Sequence, residues 1–224
     1  MKVYSAVPRE LVDLWEESEQ TLSSRQVVDF HYHDVEEWLT VVRGEITFFT
    51  LADTPFRVEV GQTLHIPRGE VHRVEVGSDG VGYRMFVPVP ISSFAIELTA
   101  DELDALRHNL EFPQYEDGCA EDGREFFENT LSDQLVFCRA SGVCVDKQTF
   151  INEAFVDKGR SSAGSVQVLN RAENGLLIST VVDSADANGV HSFVNVRFLA
   201  VEGGTHRCRL WANYPQPAKA PTMA

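Results

Sequence analysis

Between residues 30 and 88, apolar and polar side chains alternate in short runs, each cut off by a turn signal. Alternation with period two marks strands that bury one face. The runs are Phe30–Val42, Glu45–Leu51, Thr54–Val60, Thr63–Ile66, His72–Val76 and Val81–Val87. Gly44, Gly61 and Ser78-Asp79-Gly80 separate them, and Pro88-Val89-Pro90 closes the series. Short strands joined by tight turns predict an antiparallel barrel. Ahead of them, a strand is predicted over Lys2–Ala6, then a helix from Pro8 carrying Leu11, Leu14 and Trp15 on one face. Leu22 to Phe30 leads into the barrel.

The pattern changes after residue 98. Thr99–Leu110 reads as a helix, capped by Thr99 or Asp101. From Asp101 to Glu128 there are ten acidic residues against two basic ones, the composition of a solvated face or linker. Glu111–Asp122, with Pro113 and Gly118, therefore reads as a domain boundary. Next come a helix over Gly123–Leu131 and a hairpin of Gln134–Ala140 and Val143–Asp146 around Ser141-Gly142. A helix over Lys147–Val156 follows, bearing Phe150, Ile151 and Phe155. Three longer strands, Ser165–Glu173, Gly175–Ala185 and His191–Val201, lead to a turn at Gly203-Gly204 and a last strand, His206–Asn213. Helices followed by a meander of long strands make an α+β layout. The chain thus divides into an all-β domain over 1–98, an acidic helix and linker over 99–122, an α+β domain over 123–216 and a disordered tail over 217–224.

Composition adds exclusions. Hydrophobic residues are 43% and charged residues 24% of 224, an ordinary globular balance. The formal net charge of −15, with no basic cluster, argues against nucleic acid and anionic membrane surfaces as partners. No apolar run approaches the roughly 20 residues of a membrane span. The first residues carry Arg9, Glu10 and Asp13 and no apolar core, so no signal peptide is read there. Cys119, Cys138, Cys144 and Cys208 form no CxxC pair and are expected as reduced thiols in a cytoplasm.

The candidate chemistry lies in His31-Tyr32-His33-Asp34-Val35-Glu36-Glu37 and, after Pro67-Arg68-Gly69, in His72. On one continuous strand His31, His33 and Glu37 share a parity and point to the same side. A returning strand could bring His72 to them. Three imidazoles and a carboxylate form a mixed N/O set suited to Fe, Mn, Co, Ni, Cu or Zn rather than Ca or Mg. His65 lies off this pattern, on a strand position facing away. Trp38, Phe48, Tyr83 and Met85 are candidate pocket walls.

This stretch resembles the two signature motifs of the cupin superfamily. His31, His33, Glu37 and Gly44 fit the first, and Gly61, Pro67, Gly69 and His72 fit the second, without a gap. Arg25 stands where the first motif opens on glycine, and Val76 where the second closes on asparagine. The resemblance implies a jelly-roll barrel, the double-stranded β-helix, with one divalent transition metal on His31, His33, Glu37 and His72 in its mouth. Fe(II) is favoured, with Mn, Ni, Zn or Co as alternatives, and dioxygenase-type oxidation of a small organic molecule is the leading reaction.

The second domain has only His191 and His206 and no HxH. Its segments Phe126-Phe127, Leu135–Gly142, Asp146–Phe150 and Arg207–Asn213 resemble the ketosteroid-isomerase and polyketide-cyclase superfamily, also called SnoaL-like or nuclear transport factor 2-like. That resemblance implies a cone of curved sheet wrapped by helices around an apolar pocket. No family catalytic residue aligns to a definite position. Arg139, His191, Arg197, Arg209, Trp211 and Asn213 have inward prospects, and His191 with Asp183 would suit proton transfer. No nucleotide-binding glycine loop and no G-x-S-x-G elbow is present. Three readings stand: a metal-dependent cupin enzyme, a metal-independent isomerase or cyclase working in the cone, and a non-catalytic metal- and ligand-binding protein. A homodimer paired through exposed sheet is expected.

Overall fold

Two long strands carry the first half of the protein. A computed structural model describes residues 1–12, 15–88, 94–117, 120–154, 161–186 and 189–215. It divides the chain into two compact units, Met1–Leu103 with Gly164–Leu169, and Asp104–Ala163 with Asn170–Ala224.

The first unit runs β1 (Lys2–Tyr4), α1 (Arg9–Val12), β2 (Trp15–Leu22), β3 (Val27–His33), β4 (Glu37–Thr50), β5 (Pro55–Val58), β6 (Thr63–Ile66), β7 (His72–Pro88) and β8 (Ala95–Glu97). Its sheet has the order β1-β6-β4-β7-β3-β8, with β2 joined to β7 and β5 to β4. The two long strands pair with each other, and each divides its other edge between two further partners. Glu37–Thr40 of β4 pairs with β6, and Ile46–Phe49 pairs with β5. The start of β7 pairs with β3 and its end with β2. This change of partner curls the sheet around Leu39, Val41, Ile46, Phe48, Leu64, Ile66, Val74 and Val81, all buried.

Two expected turns are bends inside strands. Gly44 and Ser78-Asp79-Gly80 do not reverse the chain; β4 and β7 continue through them. Gly44 and Gly80 have φ of 74° and 72°, and a Cβ on Gly44 would collide with the Gly80 carbonyl. The glycines let the two strands touch where both bend. The predicted N-terminal helix is one turn, Arg9–Val12. Leu14 lies outside the described residues, and Trp15 opens β2. That strand escapes a hydrophobic reading because it is a charged edge, with Glu17 and Glu19 reaching Arg84.

The second unit contains α2 (Ala100–Asp117) beyond Leu103, α3 (Ala120–Thr130), β9 (Leu131–Cys138), β10 (Cys144–Val145), α4 (Lys147–Glu153), β11 (Ser161–Ala172) apart from Gly164–Leu169, β12 (Gly175–Asp186), β13 (Gly189–Glu202) and β14 (Thr205–Pro215). Its sheet has the order β10-β9-β14-β13-β12-β11, with β14 parallel to β9 and antiparallel to β13. Glu111–Asp117, expected as linker, continues α2, and Ala120–Asp122 opens α3. At the start of α2, Thr99 and Glu102 form a reciprocal capping box, at 2.8 and 3.2 Å. Pro113 is tolerated inside α2, where the buried Phe112 beside it packs on Phe126, Phe127 and Trp211. Gly118, Cys119, Phe155, Val156, Val89, Pro90 and the tail lie outside the described residues. No helix among those described is long and apolar enough to cross a membrane.

One face of this sheet meets the helices through Leu135, Phe137, Leu176, Ile178, Leu199 and Trp211, all buried. Phe112, Phe127, Phe137 and Phe150 surround Trp211 or one another with ring centroids 4.9 to 5.4 Å apart. Arg197 is set among them, fully buried, between the rings of Phe112 at 4.5 Å and Trp211 at 4.2 Å. Its guanidinium donates to the Asn109 carbonyl at 2.9 Å and to the Asn195 amide oxygen at 2.8 Å. Burial lowers its pKa to about 10, so it stays charged. Lys147, also buried, donates to the carbonyls of Glu128 and Leu131 and to Asp133, tying α4 to the junction of α3 and β9.

The cysteines correct the expectation of reduced thiols. Cys138 and Cys144 face each other across β9 and β10 and are joined as a disulfide. Cys208 is a free, buried thiol that burial pushes up to about 12, out of reactive range.

Removing Arg197 would take from Asn109 and Asn195 the buried cation that both accept from, leaving Asn195 only the Trp211 indole N–H. Arg197→Ala should therefore cost about 3 kcal/mol or more, while Arg209→Ala, on an exposed side chain, should stay within about 0.5 kcal/mol. Denaturant unfolding followed by near-UV circular dichroism measures both.

Candidate metal centre

β3 delivers His31 and His33, and β7 opens on His72. His31 and His72 stand directly opposite on one antiparallel rung. The turn before His72 is fixed from two sides. The Gly69 N–H donates to the His33 carbonyl at 2.8 Å, and its own carbonyl accepts from Val168 N–H at 2.8 Å. Gly69 has φ 74°, and a Cβ there would strike the Val168 carbonyl. The segment Gly164–Leu169 thus clamps the ligand turn, and the Val71 N–H bonds to Val166 at 2.9 Å.

The three imidazoles converge. Ring centroids are 4.4 Å apart for His31 and His72, 5.0 Å for His31 and His33, and 5.4 Å for His33 and His72. One nitrogen from each lies within 4.8 Å of the others. Each Nδ1 already has an oxygen partner: the Asp29 carbonyl for His31 at 2.7 Å, the Glu70 carbonyl for His72 at 2.8 Å, and Glu37 Oε1 for His33 at 3.1 Å. A carbonyl only accepts, so Nδ1 of His31 and His72 carries the proton and Nε2 carries the lone pair. The Glu37 carboxylate sets His33 the same way.

Burial holds all three rings neutral. It lowers His31 against the opposing pull of the Asp29 carbonyl. Burial and then the neighbouring His31 bring His33 to about 4. His72 lies well below the ordinary histidine value, from burial and then His31. Three neutral imidazoles with converging lone pairs are a donor set for a divalent cation, so these residues fit a metal.

The expected single strand through His31, His33 and Glu37 is not formed. Asp34–Glu36 is a bend, and Glu37 begins the next strand. Parity therefore explains His31 and His33 but not Glu37, which reaches the group because the chain turns back on itself. Glu37 is buried and touches His33, beside the three-histidine group. Phe48 packs against His72 with ring centroids 5.7 Å apart, as a wall should. Burial and then the Glu37 charge raise the Tyr83 phenol, which keeps its proton. Trp38 is not a wall. It leaves β4 on the face opposite Glu37, stacked on His65 at 4.4 Å and near Tyr4 at 5.0 Å. His65 faces away from the three histidines and bonds Glu36 at 3.0 Å.

In the second unit the expected His191–Asp183 pair is not formed. The register sets Asp183 opposite Ser192, whose hydroxyl donates to it at 2.6 Å, and His191 opposite Ser184, so the two side chains leave on different faces. Arg209 is exposed, and Arg197 is sealed in the aromatic core. Arg139, ion-paired with Glu153, lines a cavity of about 200 Å³, and Trp211 lines a second of about 170 Å³. Glu116 and Asn213 border both. Glu116 was invisible to the sequence reading because it lies in the stretch taken for a linker.

Residues 18–87 match the family model described as Cupin domain, and that stretch of the chain, with all four predicted ligands, is a cupin domain. The protein is therefore a cupin barrel followed by an α+β unit with a single curved sheet. Solved structures similar to it include a protein described as a calcium/calmodulin-dependent kinase II association domain from Exiguobacterium sibiricum, at 18% identity and TM-score 0.43 over 55% of this chain and 99% of that one. An NTF-2 like protein of unknown function from Pseudomonas aeruginosa has 13% identity and TM-score 0.41 over 51% and 96%. A salicylate 1,2-dioxygenase from Pseudoaminobacter salicylatoxidans has 20% identity and TM-score 0.33 over 38% and 27%. None of the curated proteins matches the sequence.

The depressed histidines make the metal-free protein acid-sensitive. Unfolded, these rings take up protons near pH 6.5; folded, they resist, His33 down to about 4. Below pH 6.5 the unfolded chain binds more protons, so stability rises with pH through this window. The urea midpoint of chelator-treated protein should fall from pH 7 to pH 5, and less steeply in His72→Phe; a flat wild-type profile would contradict the burial argument.

Proposed function

We propose that the first unit is a metal-dependent enzyme acting on a small organic molecule, by a dioxygenase-type oxidation. The observation that carries this reading is the state of the three histidines: neutral, convergent, and each engaged at Nδ1. His31, His33 and His72 would hold one divalent transition metal, Fe(II) by preference, with Glu37 as the carboxylate of the set. Such a metal supplies Lewis-acid or redox chemistry at a substrate oxygen. The chain's own residues orient and shield. Glu37 fixes His33, Phe48 offers an apolar wall, and Tyr83 keeps a hydroxyl proton in reach of the Glu37 charge. Purified protein loaded with Fe(II), Mn(II), Co(II), Ni(II) or Zn(II) should hold one metal per chain. His33→Ala and Glu37→Ala should lower metal affinity roughly tenfold or more, and His65→Ala should not. Oxygen uptake with phenolic or diketone substrates should require the Fe(II) form. Equal occupancy in all three variants would defeat the ligand assignment; full occupancy without uptake would favour a binding protein.

A second reading places isomerase or cyclase chemistry in the second unit, supported by the buried Glu116 between two cavities that also share Asn213. Turnover that survives chelation and is lost in Glu116→Gln would favour it.

Assembly as a homodimer is part of the proposal. The face of the second sheet away from the helices carries Leu177, Val181, Val194, Val196 and Phe198, partly exposed, with Val136, Leu210 and Tyr214 more so. A sheet apolar on both faces calls for cover on both, and a second copy supplies it. Light scattering should give twice the mass of one chain, and Phe198→Glu with Leu210→Glu should give a monomer. The cytoplasmic placement loses its support from the cysteines, because a bridged Cys138–Cys144 pair belongs to an oxidising compartment or to a redox-active couple.

A further inference from the structure

We infer that the second unit binds a small aromatic acid in the groove between α2, α3 and the first residues of β14. The inference uses no residue of the metal centre and stands apart from the proposed oxidation. The groove is an open cavity of about 620 Å³, within the range of small-molecule sites.

Its floor is aromatic. Tyr115 stacks on Phe126 with centroids 3.9 Å apart and planes within 10°, and Phe112 meets Phe126 edge-on at 5.5 Å. A flat ring can lie against such a surface by offset stacking.

The groove has two chemically different ends. Cys208 pairs with Leu131, the residue after the last turn of α3, so the start of β14 lies at that end. There His206 and Arg207, with His108 of α2, line the cavity. Asp122 lies eight residues back along α3, about 12 Å away at the helical rise, with Glu125 between.

Arg207 is the decisive side chain. Lys and Arg number 19 against 34 Asp and Glu, and Arg57, Arg73, Arg84 and Arg139 each hold an acidic partner. Among the described residues Arg207 forms no ion pair and no side-chain hydrogen bond, although it is half-buried. Asp133, which feels its charge, is bonded to Lys147 at 3.0 Å. A guanidinium fork beside two imidazoles matches a carboxylate. Asp122 and Glu125 at the far end accept from a hydroxyl or amino group. The ligand is then a ring with a carboxylate at one end and a hydrogen-bond donor at the other.

Calorimetric titration of the full-length protein with 4-hydroxybenzoate tests this, with 4-hydroxybenzyl alcohol as its uncharged counterpart. One saturable site per chain is expected, with the alcohol weaker by roughly tenfold or more. Arg207→Gln should lose a similar factor, and Arg209→Gln, on an exposed side chain outside the groove, should lose none. His72→Ala protein, its metal centre dismantled, should bind as wild type does. No binding at millimolar acid, or equal binding of acid and alcohol to wild type, overturns the proposal without recourse to any variant. Binding lost in His72→Ala and kept in Arg207→Gln would place the acid at the metal centre and overturn it as well.

Discussion

Burying three imidazoles within 4.4 to 5.4 Å of one another is the constraint that shapes the first unit. Each ring brings two polar nitrogens into a setting lined by Phe48 and the barrel core, and unpaired buried polar atoms are costly. For His31 and His72 the same local device meets half of that cost: each Nδ1 reaches the carbonyl two residues earlier on its own chain, Asp29 or Glu70. His33, at the end of its strand, takes Glu37 instead. One nitrogen from each ring lies within 4.8 Å of the other two. Without a cation their lone pairs repel, and with protons the charges would. A divalent cation bound there would offset that repulsion, so occupation of the site would add to the stability of the barrel. The clamp on Gly69 from His33 and Val168 fixes the turn that leads into His72.

The second unit meets a like problem with a charge in place of lone pairs. Arg197 sits where an apolar side chain would pack, between Phe112 and Trp211. Its fork draws Asn109 of α2 and Asn195 of β13 to it, while the Trp211 indole N–H donates to Asn195 and Asn213. One cation thus registers a helix against the sheet. The amide oxygen of Asn195, accepting from both Arg197 and Trp211, is fully engaged, so toward the cavity of about 170 Å³ that side chain has only its NH₂ group left to offer a ligand, whereas the Asn213 oxygen keeps one acceptor site.

The gathering of His31, His33 and His72 was legible because the motif fixes residue types at set spacings; the route by which they and Glu37 meet was not. Strand parity accounts for His31 and His33 and for the outward His65, but it put Glu37 on a strand that the bend at Asp34–Glu36 breaks. The turns at Gly44 and Ser78-Asp79-Gly80 had the right residues with the wrong consequence. Positive φ lets a chain reverse or merely bend, and only the partner strand decides which. β2 was hidden by its own edge-strand charges. The last turns of α2 were hidden by Pro113 and acidic composition, which local propensity counts against a helix but which the burial of Phe112 outweighs. The support that Gly164–Leu169 gives to Gly69 joins residues about a hundred positions apart, beyond any local pattern.

Thiol chemistry divides between the units in the same physical way. Cys208 lies under the aromatic core beside Arg197, where burial raises its pKa more than the guanidinium lowers it, so it packs as a small apolar group. Cys138 and Cys144 lie on the hairpin, and Cys138 is flanked by Phe137 and Arg139, two walls of the cavity of about 200 Å³. The hairpin turn closes on its own hydrogen bonds, from Arg139 N–H to Val143 and from Gly142 N–H to Arg139. Cleaving the bridge would therefore leave the turn formed and remove only the covalent tie between β9 and β10. A change in redox state would bear on the cavity wall of the second unit, whereas the histidine centre has no sulfur to answer to it.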